Sequence, residues 1–156
     1  MTSTGPNKAV NNPEITVETK HFGTIVVRED QIITLVQGIL GFPEYQRYLI
    51  IEHNQESPFL WFQCVDNPGL AFVIIDPRCF LADYQVGRLN GCLKELEAES
   101  VDDLKIFVIV TIPRGHPEKM TANLLGPLVI NIRNRRAKQL VIDNPRYSHQ
   151  HRIITP

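Results

Sequence analysis

Residues 59–75 read FLWFQCVDNPGLAFVII, and the fold is decided by this stretch. Phe59–Val65 and Leu70–Ile75 are apolar runs rich in aromatic and β-branched residues, which suits a pleated, half-buried surface. Between them lies Asp66-Asn67-Pro68-Gly69. Its Pro fixes one φ and its Gly supplies a positive one, the chemistry of a tight turn. Two strands joined so closely run antiparallel. Because side chains alternate across a strand, Phe59, Trp61 and Phe62 cannot all point one way. Either both faces are covered, or one presents aromatics to a partner.

Outward from this hairpin the same pattern recurs. Apolar, β-branched runs occur at Ile15–Thr19, Thr24–Val27, Ile32–Val36 and Tyr48–Ile51, then at Lys105–Ile112, Leu124–Ile132 and Lys138–Ile142. Gly23, Gly38, Gly41-Phe42-Pro43, Ser57-Pro58, Asp76-Pro77 and Pro113 punctuate them. Such close spacing favours antiparallel pairing over βαβ units. Leu128–Ile132 and Lys138–Ile142 flank Arg133–Ala137, a connector of hairpin length. One segment has helical period: Leu89, Leu93 and Leu96 fall at i, i+4 and i+7, with Asn90 as N-cap. A second helical turn is expected at Pro117, since Pro suits the first helical position. The fold class is therefore mainly β: a small antiparallel β-barrel-like single domain with one or two short helices. Closure into a barrel spares so many short strands their exposed edges.

The unit is expected over residues 14–143. Residues 1–13 (MTSTGPNKAVNNP) carry almost no apolar content and read as a disordered tail, and 144–156 as an extended C-terminal tail. The first thirteen residues lack the apolar core of a secretory signal. No apolar run approaches the ~18 residues of a membrane helix. Three cysteines, Cys64, Cys79 and Cys92, form neither a disulfide framework nor a metal-binding pair, and Cys64 reads as a core residue. The expected location is cytoplasmic.

Composition also narrows the function classes. Sixteen Lys and Arg balance seventeen Asp and Glu, for a net charge of −1. A protein that coats nucleic acid carries a basic excess, because phosphate contacts supply most of its affinity. The strongest charge cluster is Arg133, Arg135, Arg136 and Lys138. It reads as a solvated hairpin tip or as a contact for an acidic surface, with RNA the alternative partner. No phosphate-binding glycine loop and no GxSxG nucleophile motif occur. His149 and His151 have no nearby Cys or carboxylate to complete a metal shell. Asp66, Asp76 and Asp102-Asp103 sit where Asp commonly bonds local backbone. A deep mouth lined by Asp66, Asp76 or His53 would mark a ligand carrier or small enzyme; a filled barrel would remove that reading. No enzyme activity, cofactor or metal is expected, and the protein is read as one that binds other macromolecules.

Seven stretches in order resemble a known family. They are Glu18-Thr-Lys-His-Phe-Gly, Gly38-Ile-Leu-Gly-Phe, Ser57-Pro-Phe-Leu-Trp-Phe-Gln and Asp66-Asn-Pro-Gly-Leu-Ala-Phe, then Val73-Ile-Ile-Asp-Pro, Met120-Thr-Ala-Asn-Leu-Leu-Gly-Pro-Leu-Val-Ile-Asn and Arg135-Arg-Ala-Lys-Gln-Leu-Val. Together they resemble the bacterial flagellar assembly factors, the FliW family, over Ile15–Asp143. The resemblance implies a small β-barrel without enzymatic activity. It also implies chaperone-like binding of newly made flagellin, and binding of the carbon storage regulator, a translational repressor, so that repression of flagellin synthesis is relieved. On this resemblance Gly41, Phe42, Trp61, Met120 and Asn123 are the expected partner contacts, with Arg135 the charged one. Leu40 departs from the family pattern, which often has Pro in this glycine turn.

Overall fold

The computed structural model describes residues 13–87 and 89–153. The expected disordered tail therefore lies, except for Pro13, outside the described residues. Eleven strands follow in chain order. They are β1 Glu14–Thr19, β2 Gly23–Arg28, β3 Ile33–Leu35, β4 Arg47–Ile51, β5 Leu60–Cys64 and β6 Ala71–Ile75. Then come β7 Leu104–Thr111, β8 Thr121–Ala122, β9 Leu128–Asn131, β10 Arg136–Gln139 and β11 His151–Arg152.

Seven of them close a barrel in the order β7-β6-β5-β4-β3-β10-β9, with β9 returning to β7. An odd ring cannot alternate direction all the way round, so one pair must run parallel. That pair is β3–β10, where Arg136 lies opposite Thr34 and Ala137 opposite Leu35. The deciding hairpin pairs as its composition requires, with Phe62 opposite Phe72 and Trp61 opposite Val73. Strands β8 and β11 extend the sheet beyond β7.

Period-two alternation divides the strand residues between two environments. Inward-facing Tyr48, Phe62, Cys64, Ile74, Phe107 and Leu128 fill the barrel. Tyr48 stacks on Phe62 with centroids 4.5 Å apart and planes 3° from parallel. The barrel interior is filled, while Asp76 lines a surface groove of about 360 Å³ beside Tyr84 and Ile106. Asp66 is held by Arg47 at 2.6 Å, Asp76 accepts the Arg78 N–H, and His53 packs on Phe22. Outward-facing residues are covered in two places. The β1–β2 hairpin buries Val17 against Ile32 and Leu49, and segments 77–87, 89–100 and 120–153 cover Ile75, Val108, Val110 and Val129.

The Tyr48 hydroxyl is buried without a hydrogen-bond partner among the described residues. Its desolvation drives the phenol above the ordinary range. A lone buried hydroxyl costs about 1–3 kcal/mol. Tyr48→Phe, which keeps the ring and removes the hydroxyl, is therefore expected to raise stability by about 1 kcal/mol or more in urea titration. A loss would show that the hydroxyl is satisfied in solution.

Two expectations are corrected. The Asn90–Glu99 helix is a 3-10 turn over Leu89–Cys92 followed by further turns, and no α-helix occurs among the described residues. Gly91 weakens so short a nucleus. The segment then ends in a Schellman arrangement: the Ala98 N–H reaches the Leu93 carbonyl, the Glu97 N–H reaches Lys94, and Glu97 takes φ +53°. The leucine period still identified a packed face, since Leu96 is fully buried. The expected turn at Pro117 is present as a 3-10 turn, Pro117–Lys119. Secondly, Asn144–Ile153 is packed, not an extended tail. Tyr147 and Ile153 are buried, the Tyr147 hydroxyl accepts the Gln85 N–H, and β11 pairs with β8. Tyr147 and Ile153 are the apolar residues that outweigh the segment's polar composition.

The cysteines are free, and burial pushes all three thiols up. Native protein treated with a thiol reagent is expected to label slowly at exposed Cys79 only. Cys64 and Cys92 should label after denaturation, as mass spectrometry would show. Fast native labelling of Cys64 would mean that the barrel opens.

Candidate functional site

Three of the expected contact residues converge at one mouth of the barrel. The chain from Ile39 to Phe42 reverses there, the Phe42 N–H donating to the Ile39 carbonyl at 2.7 Å. Gly41 takes φ +92°, which side-chain-bearing residues rarely adopt. Gly38 lies where a Cβ would sit 2.5 Å from Pro43 Cα, so the loop closes tightly on itself. Phe42 sets its ring edge-on to Phe72, with centroids 5.6 Å apart.

The loop is pinned by the neighbouring strand β10. The Leu40 N–H donates to Gln139 Oε1 at 2.9 Å, and Gln139 Nε2 donates to the Gly126 carbonyl at 3.0 Å. A Pro at position 40 would lack that N–H. The departure of Leu40 from the family pattern thus creates the donor that Gln139 uses. It also leaves a large apolar side chain 68% exposed at the tip of the turn.

Beside the turn runs a groove of about 300 Å³. Its apolar lining is Ile39, Leu40, Phe72 and Ile109. Its walls are Thr111, Thr121, Asn123, Gln139, His149 and Gln150. Asn123 donates its N–H to the Ile109 carbonyl and accepts the Leu125 N–H on Oδ1 at 3.0 Å. Gly126 keeps this corner open, because a Cβ there would lie 2.8 Å from Gln139 Nε2 and 2.9 Å from Asn123 Nδ2.

The other expected contacts lie elsewhere. Met120 is half-buried and packs on the outer cluster, its carbonyl accepting the Ile153 N–H; its neighbour Thr121 reaches the groove. Trp61 points outward from β5 beneath the β1–β2 turn, 4.9 Å from His21 and 5.6 Å from Phe22 by centroid. Arg135 sits before β10, at the end away from Gln139, in a left-handed conformation of φ +65°. Its basic neighbours are engaged. Arg133 meets Asp103 at 2.6 Å, Arg136 meets Glu97 at 3.6 Å, and Lys138 meets Glu95 at 2.7 Å. Among the described residues Arg135 is the member of this cluster without an ion pair. Sequence reasoning missed Leu40, Gln139 and Gln150 as site residues. Only Leu40 carried a signal, an apolar side chain set in a glycine turn.

Among the described residues no three His, Cys, Asp or Glu side chains gather as a metal shell, and no helix is long and apolar enough to cross a membrane. The class defined by these features is a small, side-chain-filled β-barrel with a groove at one mouth whose lining holds no Lys, Arg, Asp or Glu. The chain belongs to the FliW protein family, whose model matches residues 16–153. It is 42% identical over 139 residues to the flagellar assembly factor FliW of Treponema denticola, covering 88% of this chain and 92% of that one. Identity to the FliW of Thermoanaerobacter pseudethanolicus is also 42%, with the same coverage. A crystal structure of the flagellar assembly factor FliW superposes with a TM-score of 0.82 at 32% identity, covering 91% of this chain and 99% of that one.

Proposed function

We propose that this protein is a cytoplasmic, non-enzymatic flagellar assembly factor. It binds newly made flagellin in a chaperone-like way and, in exchange, binds the carbon storage regulator, a translational repressor. Occupancy by flagellin releases the repressor, which then lowers flagellin synthesis. Such an exchange needs no chemistry, only a difference in affinity that mass action converts into a signal. The observation that carries the reading is the family match over nearly the whole folded unit. Asn123 in the groove wall, with Gly41 and Phe42 in the turn packed on Phe72, is its proposed contact surface. Trp61, Met120 and Arg135 remain proposed contacts outside it.

The RNA-binding alternative draws less support. Three of the four basic residues between Arg133 and Lys138 are ion-paired within the chain, so a polyanion would meet a largely neutralised strip.

Isothermal titration with purified flagellin and with the regulator tests the proposal. Saturable one-to-one binding of flagellin near about 1 μM or tighter is expected, roughly −8 kcal/mol. Flagellin should displace the regulator. Tight binding of RNA with binding of neither protein would overturn it.

A further inference from the structure

We infer that two copies of this protein pair edge to edge through β2, antiparallel about a two-fold axis at Val26. The inference goes beyond the proposed function and does not depend on it, because the occupant of the edge is the same strand of a second copy.

Barrel closure hides most strand edges. Among the described residues, sheets end only at β11, which is two residues long, and in the β1–β2 hairpin. Which backbone groups of that hairpin face outward follows from its register. The Glu29 N–H donates to the Pro13 carbonyl at 2.8 Å, and the register continues with Ile15 opposite Val27 and Val17 opposite Ile25. Bonded pairs alternate along an antiparallel ladder. Ile25 and Val27 therefore bond to β1, while Thr24, Val26 and Arg28 turn their N–H and C=O groups away from it. Neither Thr24 nor Val26 has a main-chain partner on that side among the described residues. The Arg28 N–H is held by Gln31 Oε1 at 2.9 Å.

Open edges are commonly blunted by charge, proline or a bulge, and β1 is. Pairing β1 with its own copy about Thr16 would set Glu14 against Glu18, like charges face to face. Its turn end is also closed, by the Lys20 N–H on the Pro68 carbonyl. β2 lacks such protection. From Gly23 to Val27 it carries no charge and no proline, and Val26 is 60% exposed.

The strand complements itself. With Val26 opposite Val26, Ile25 faces the second copy's Val27 and Thr24 faces its Arg28. The Val26 pair exchanges both main-chain bonds, and each Thr24 N–H meets an Arg28 carbonyl. Because Thr16 already lies opposite Val26, the central row of the joined sheet reads Thr16, Val26, Val26, Thr16, and the apolar side chains cover each other. In each flanking row Arg28 stands between Glu14 of its own copy, its present neighbour, and the second copy's Thr24, whose hydroxyl donates to Glu18 at 2.7 Å. Opposite charges thus share each row. A six-residue strand is a small contact beside the ~1,200 Å² or more of standard stable interfaces, so the dimer is weak.

Sedimentation velocity from about 10 μM to about 1 mM tests the inference, and a shift from monomer toward dimer across that range is expected. Val26→Lys sets two like charges together on the axis and is expected to weaken the dimer at least about tenfold. Val26 is exposed, so the variant should fold, and an unchanged melting temperature confirms it. Cross-linking reads the register, in a Cys79→Ser background because Cys79 is the exposed native thiol. With oxidised glutathione at high protein concentration, Val26→Cys should form a disulfide, its two Cα atoms lying about 5.5 Å apart in a bonded pair. Thr24→Cys should not, since its copies sit about 13 Å apart along the strands, beyond disulfide reach. Monomer at every concentration overturns the inference, as does a Val26→Lys protein that still dimerises. Equal cross-linking at both positions overturns it too, and so does a ladder of larger oligomers, which would mean head-to-tail joining.

Discussion

Phe62→Ala is expected to lower the unfolding free energy by about 3–5 kcal/mol. Phe62 is fully buried on β5, faces into the barrel, and stacks flat on Tyr48. Removing the ring takes away its transfer free energy and leaves a cavity that the closed ring of strands cannot collapse, because each strand is held on both sides. The barrel is otherwise filled by side chains from all seven strands, so no neighbour is free to move in. A domain of this size is stable by about 5–15 kcal/mol, so the variant should sit near the limit of folding at 37 °C. Chemical denaturation with circular dichroism measures the loss. A cost below about 1 kcal/mol would mean that the interior is looser than its packing indicates.

Gly38→Ala carries the second large effect, and it reaches function as well as stability. A Cβ at Gly38 would lie 2.5 Å from Pro43 Cα, 2.6 Å from the Pro43 carbonyl oxygen and 2.7 Å from that of Phe42. All three are backbone atoms and cannot rotate aside. The loop must open, at about 1–3 kcal/mol by analogy with overpacked cores. Opening carries Leu40 and Phe42 away from the groove and strains the hydrogen bond from Leu40 to Gln139. The expected result is a modest fall in melting temperature with a loss of flagellin affinity of about tenfold or more. Gly41→Ala separates the two causes: nothing lies within 4 Å of its Cβ position, and only its positive φ is strained, at roughly 1–2 kcal/mol. If Gly38→Ala bound flagellin as wild type does, the loop would be irrelevant to docking.

Much of the fold was legible because it is local. The Asp66–Gly69 turn and the alternation of Phe62 and Cys64 against Trp61 and Gln63 need no knowledge of distant residues. Nine of the strands were visible as apolar runs, although β10 begins at Arg136 and not at Lys138. Its start is set by the left-handed turn at Arg135, which composition does not reveal. The parallel pairing of β3 with β10 was illegible, since it joins segments about a hundred residues apart. Docking of the C-terminal segment was hidden for a related reason: Tyr147 and Ile153 are isolated apolar residues whose burial depends on Tyr84 and Met120. For the proposed contact surface, Gly41, Phe42 and Asn123 were named from the family pattern. What pins them, the Gln139 side chain bridging Leu40 and Gly126, carries no motif.

The parallel seam also orders events during synthesis. Strands β3 to β7 form a meander of neighbours in sequence, and even its longest connection, Asp76–Asp103, adds little closure entropy, because that cost grows slowly with length. The β3 edge, and the Leu104–Phe107 stretch of the β7 edge, stay unpaired until residues 128–139 leave the ribosome, because β9 and β10 alone bridge them. At about 5–20 residues per second, that interval lasts seconds. Over this interval the nascent chain carries open strand edges of the kind that recruit other chains. A message truncated after β7 would hold the chain permanently in that state, so the last quarter of the sequence acts as the clasp that makes the product safe to release.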